Sequence, residues 1–93
     1  MGSDLLRELA TRYVWWLSAD ETLARPNLLL CQLMQLGTAE DVRAARDLLG
    51  DDTFRAALRG APPGVLDARS WNFWHLVLLG QSPPPMPMRP LPP

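Results

Sequence analysis

Helix breakers recur through this chain at short intervals: Pro26, Gly37, Gly50, the run Gly60-Ala61-Pro62-Pro63-Gly64, and Gly80. Glycine readily adopts the left-handed backbone that closes a helix, and proline is tolerated only in a helix's first turn. Between these breaks the apolar residues recur at helical spacing, and no strand-like alternation of any length appears. The chain is therefore confined to short helices joined by tight turns. It has no room for a long coiled coil and no pattern for a sheet.

The first segment predicts a helix from about Asp4 to Leu17. At roughly 100° per residue, Leu5, Leu6, Leu9, Tyr13, Trp16 and Leu17 share one stripe, with Arg7, Glu8, Thr11 and Arg12 opposite. Ser18-Ala19-Asp20-Glu21 has the spacing of a capping box and predicts a short helical turn up to Ala24. Pro26 suits the first position of a helix running to Leu36. That helix carries Leu28, Leu29, Leu30, Cys31, Leu33, Met34 and Leu36, with only Gln32 and Gln35 as a polar edge. Such an element belongs in the middle of a bundle. Gly37 is expected to end it in the left-handed region.

Thr38 should cap a helix over Ala39–Leu49 that packs through Val42, Ala45, Leu48 and Leu49. After Gly50, Asp51 is the expected cap of a two-turn helix holding Phe54, Ala57 and Leu58. Asp67 should cap the last helix, Ala68 to Leu79, with Leu66 and Trp71 at the spacing of a hydrophobic staple. Gly80 stops it. From Pro83 onward most residues are proline, which favours an extended polyproline II arm. The expected fold is all-α: a compact bundle of five to six short helices over residues 1–81, with an extended proline-rich C-terminal arm over residues 82–93.

A chain of 93 residues holds one domain at most and has a thin stability margin. Nearly half of it is apolar and four residues are Trp, so material for a core is ample. Net charge is −1, which supplies no strong field toward nucleic acid or anionic lipid. All nine basic residues are Arg, a bias that a GC-rich genome accounts for more simply than selection for bidentate contacts. Cys31 is alone among apolar neighbours, so it reads as an inert buried thiol in a reducing, cytoplasmic setting. No signal peptide and no membrane span are expected.

Nothing here has the form of a catalytic centre. There is no phosphate-binding glycine loop, no Cys/His cluster at metal spacing, and no nucleophile with a nearby base, so no cofactor and no metal are expected. Arg69 and His75, at the start of the last helix, resemble the Arg–His pair of helical HEPN ribonucleases. The simpler reading places Arg69 in solvent and packs His75 one turn after Trp71. The two helices from Ala39 to Arg59 are similar in plan to a helix-turn-helix, with Arg43, Arg46, Arg55 and Arg59. Glu40, Asp41, Asp47, Asp51 and Asp52 make that stretch slightly negative, which disfavours phosphate binding.

Three features point instead to another protein. Trp15 lies off the apolar stripe of the first helix, between Glu8 and Arg12, where either another segment of the chain or a partner would cover it. Trp71, Phe73, Trp74, Leu76, Val77, Leu78 and Leu79 surround nearly the whole last helix, more than one small bundle covers. The arm is pre-stiffened, so docking it costs little entropy. Met86, Met88 and Leu91 supply apolar knobs and Arg89 a charge. The expected partner-binding residues are Trp15, Trp74, Met86, Pro87, Met88, Arg89, Pro90 and Leu91. The alternatives for the arm are a disordered terminus or a fold back over Trp71 and Trp74.

The motifs Tyr13-Val14-Trp15-Trp16, Arg25-Pro26, Met34-Gln35-Leu36-Gly37-Thr38, Ala61-Pro62-Pro63-Gly64 and Ala68-Arg69-Ser70-Trp71-Asn72-Phe73-Trp74-His75-Leu76, with the Pro/Met/Arg arm, cover nearly the whole chain. Together they resemble a group of small bacterial proteins encoded beside nucleotidyltransferase-type toxins of the abortive-infection class. The resemblance implies an antitoxin, with a nucleotidyltransferase-type toxin as its protein partner; it assigns no chemistry to any residue. Nucleic acid and membrane are not expected partners, and self-association stays open. On this reading, deleting Ser82–Pro93 should weaken a complex with the partner strongly and leave the helical circular-dichroism signal almost unchanged.

Overall fold

Helix α3 (Pro26–Leu36) is the hub. Packed around it are α1 (Gly2–Tyr13), α2 (Ala19–Leu23), α4 (Ala39–Leu49), α5 (Asp51–Arg59) and α6 (Ala68–Trp74), each in direct contact with it. The structure is a computed structural model describing the backbone of residues 2–86 and the side chains of residues 4–86. Among those residues there is no strand, and a π-helical turn, His75–Leu79, extends α6. The position of α3 follows from its composition: Leu29, Leu30, Cys31, Leu33 and Met34 are all buried. Burying an aliphatic side chain of this size contributes about 1.5–3 kcal/mol. Leu36, at its last position, is exposed, and so is Leu48 on α4, contrary to the expectation that both face the core.

The core joins Leu9, Tyr13 and Val14 to the α3 face, to Phe54, Ala57 and Leu58 of α5, and to Leu66, Trp71, Trp74 and Leu78. Cys31 sits between α3 and α5, with its thiol 3.5 Å from the Ala57 carbonyl. Burial pushes that thiol's pKa up to about 12, so it is an inert core residue.

Helix α1 ends at Tyr13, a turn earlier than its periodicity predicts. In a continuing helix the Tyr13 carbonyl would accept from the Leu17 N–H. Here it accepts from Gln32 Nε2 at 3.3 Å, and the Leu17 N–H turns back to the Val14 carbonyl at 3.2 Å. The Tyr13 hydroxyl donates to Asp41 and accepts from the Thr38 N–H. Tertiary bonds thus take over the end of the helix. Val14 goes fully inside, and Trp16, expected on the inner stripe, is turned outward.

The caps fall largely where the sequence puts them. Ser18 and Glu21 form the reciprocal capping box, Thr38 accepts from the Asp41 N–H, and Asp67 accepts from the Ser70 N–H at 2.8 Å. Asp51 is an exception: it is the first residue of α5 and caps nothing. Its two carboxylate oxygens bind Arg46 Nε and Nη2 at 2.8 and 2.9 Å, and Gly50, at φ 84°, occupies the cap position. A fork of two parallel bonds to one guanidinium outcompetes a single bond to a backbone N–H. Gly37 also departs from expectation, with extended backbone at φ −67°. Its requirement is space. A Cβ there would collide with the Leu33 carbonyl and come within 2.8 Å of Leu33 Cδ1.

Two measurements follow from this arrangement. Because the obstacle at Gly37 is backbone, Gly37→Ala should cost about 1–3 kcal/mol in urea unfolding. Asp41 is held below its ordinary pKa of 3.8 by the Tyr13 hydroxyl first and the Arg12 guanidinium second. The folded state therefore binds fewer protons at this group than the unfolded one. Its contribution is fully present above the unfolded pKa, and is lost as pH falls from about 3.8 through the lower folded value. Asp41→Asn should accordingly flatten the acid limb of a stability–pH curve.

Candidate protein-binding surfaces

The last helix buries one side and leaves another bare. Trp71, Trp74, His75 and Leu78 point into the protein, whereas Phe73, Leu76 and Val77 are 54%, 62% and 45% exposed. These three sit at i, i+3 and i+4, so they form one continuous apolar stripe. The expectation of surplus apolar surface on this helix is met. Trp74, however, was expected to bind a partner and is a core residue: its ring is buried and its Nε1–H donates to the Met34 carbonyl at 3.0 Å. Only its edge reaches a surface, where it floors a cleft.

That cleft, of about 740 Å³, lies between α4 and α6, with Met34 and Val42 also on its lining. Its polar groups divide into committed and uncommitted. Arg46 is locked to Asp51 and places its guanidinium 6.0 Å from the Trp74 ring centroid. The Asp51 hydrogen bonds raise the Arg46 pKa, and the reciprocal bonds lower that of Asp51. Arg43 and Arg69, both exposed, make no hydrogen bond or ion pair among the described residues. Sequence reading did not single these two out together. They are far apart in the chain, and only the packing of α4 and α6 on the shared α3 puts them on one cleft.

Trp15 and Trp16 form a second apolar feature, 69% and 52% exposed, with ring centroids 4.9 Å apart and planes at 89°. The outward placement of Trp15 agrees with its position off the α1 stripe. Trp16 borders a separate shallow groove against Pro26 and the Pro62–Val65 turn.

The start of the arm lies on the protein. The Trp71 Nε1–H donates to the Pro84 carbonyl at 2.8 Å, and Met86 packs against the core. The indole N–H of a buried Trp needs an acceptor, and the arm supplies it. Fold-back over Trp71 therefore describes this stretch. Pro87, Met88, Arg89, Pro90 and Leu91, the rest of the expected binding segment, lie outside the described residues.

The residues of the two rival readings also have their places in the fold. Arg69 borders the α4/α6 cleft, whereas His75 is buried and lines a different hollow beneath Pro84 and Pro85. The His75 ring lies against Trp71 with centroids 4.2 Å apart and planes tilted by 56°, and its Nδ1–H donates to the Trp71 carbonyl at 2.8 Å. Arg69 and His75 do not meet, and the ribonuclease-like pair is not formed. In the α4–α5 pair, Arg46 is held by Asp51, while Arg55 binds Asp52 at 2.6 Å and the Leu78 carbonyl at 2.7 Å. Those two guanidiniums hold the fold, whereas Arg43 and Arg59 of the same pair of helices make no hydrogen bond or ion pair among the described residues. Among the described residues no group of three His, Cys, Asp or Glu side chains is placed to hold a metal ion. No described helix is long and apolar enough to cross a membrane.

No protein-family model matches the chain, and no curated protein or solved structure matches it.

Proposed function

We propose that this protein is a binding module for another protein, acting as the antitoxin of a nucleotidyltransferase-type toxin in a bacterial toxin–antitoxin pair. The observation that carries the binding reading is the Phe73–Leu76–Val77 stripe. Three large apolar side chains stand exposed in a row on a helix whose opposite side is fully packed. An isolated exposed apolar residue is ordinary, but a contiguous stripe beside an aromatic-floored cleft has the composition of an interface centre. Phe73 is braced edge-to-face against Trp74, at 5.2 Å and 89°, so it is presented rigidly and loses little freedom on docking.

The identity of the partner rests on the sequence resemblance. An antitoxin that acts by occlusion needs a shaped surface, and the cleft beside the Phe73–Leu76–Val77 stripe is one. The arm adds a further binding element in this reading, continuing from Met86.

The test is co-expression with the product of the adjacent reading frame. The unaltered chain should co-purify with it and relieve its toxicity to growing cells. Phe73→Asp with Leu76→Asp should reduce the affinity at least tenfold and restore toxicity. Because both positions are exposed, the thermal unfolding midpoint of the isolated chain should stay nearly unchanged. A double variant that still neutralises the toxin fully would remove the stripe from the interface.

A further inference from the structure

We propose that the α4/α6 cleft receives an acidic amphipathic helix of the partner protein, with the helix's apolar side chains on Phe73 and Trp74 and its carboxylates on Arg43 and Arg69. The proposal rests on the protein-binding reading above and names the chemistry of the segment that docks. Its argument is charge complementarity around an apolar floor. Arg43 stands on α4 and Arg69 on α6, so the two guanidiniums flank a floor built from the edge of Trp74, Phe73, Val42 and Met34. A groove between two helices that is greasy at its base and charged at its rims is the geometry in which helices dock through i, i+3, i+4 and i+7 anchors.

The sign of the charge decides among occupants. Arg46 is neutralised by Asp51, which leaves Arg43 and Arg69 as the guanidiniums on this cleft without a carboxylate bound to them among the described residues. Asp47, also on the lining, and Asp67, whose carboxylate interacts electrostatically with Arg69, each offset part of that charge. The modest positive excess suits a segment bearing one or two carboxylates and is too small for a polyphosphate backbone. A second copy docking symmetrically would set Arg43 and Arg69 against themselves. The chain's own arm carries Arg89, of the same sign as the rims.

The experiment uses the full chain and two synthetic peptides of about four helical turns. Both carry the same Leu/Phe stripe at i, i+3, i+4 and i+7; one is edged with Glu and the other with Lys. Fluorescence anisotropy gives the affinity, and amide shifts in a 15N-labelled chain give the site. The Glu peptide should bind about five- to tenfold more tightly than the Lys peptide at low salt, with the gap shrinking as salt rises. The shifts should centre on Arg43, Arg69 and the Trp74 indole. Arg43→Glu with Arg69→Glu, whose side chains make no bond in the fold, should retain the circular-dichroism spectrum and reverse the preference. Equal binding of the two peptides, no binding of the Glu peptide, or shifts centred on Trp15 and Trp16 would each overturn the proposal. So would a single-stranded RNA oligonucleotide that binds with the same dependence on Arg43 and Arg69. Failure of the general reading is separable. If the charge-reversed chain still holds its co-expressed partner with unchanged affinity, protein binding stands and the acidic-helix assignment falls.

Discussion

A helix with almost no polar side has to be surrounded, and α3 meets that demand in fewer than a hundred residues. Its length is set by Pro26 and Gly37, and its sequence offers little but Leu, Cys and Met to its neighbours. The other helices are too short to hold their form alone; isolated helices shorter than about 12–15 residues are marginal in water. Each is kept helical by the face it lays on α3, and α2, α4 and α6 also by a side-chain cap. This explains why the contacts radiate from one element, and why a methyl group's worth of extra volume at Gly37 matters.

Polar side chains supply the constraints that this greasy packing cannot. The Tyr13 hydroxyl, Asp41, Arg12 and Thr38 form one node that ties the end of α1 to the start of α4. Arg46 and Asp51 span the Gly50 turn, and Arg55 closes the C-terminal end of the last helix through the Leu78 carbonyl. Exposed ion pairs of this kind contribute little stability individually. Their effect lies in direction: they fix where a helix stops and which way the next begins. The guanidiniums used in this way are also removed from any ligand. The uneven distribution of free charge that remains, with Arg43 and Arg69 on one cleft, is therefore a by-product of how the turns are held.

The surface is correspondingly one-sided. Around Trp71 and His75 the protein covers itself, using the Pro84 carbonyl and Met86. On the opposite side of the same helix Phe73, Leu76 and Val77 stand about half exposed among the described residues.

By itself the sequence determined the all-helical class, the caps at Ser18, Thr38 and Asp67, the central position of α3, the buried Cys31, and the excess of apolar side chains on the last helix. These depend on periodicity, capping chemistry and composition, all local properties. Tertiary structure alone decided that α1 stops at Tyr13, because Gln32 takes a carbonyl that the helix would otherwise use. It decided that Asp51 binds Arg46 instead of capping, that Trp74 is core while Phe73 is surface, and that Arg43 and Arg69 flank one cleft. Each of these is a competition between partners distant in the chain or a matter of which helix packs beside which. A helical wheel ranks the sides of one helix; it holds no information on how much of each side the neighbours have chain enough to cover.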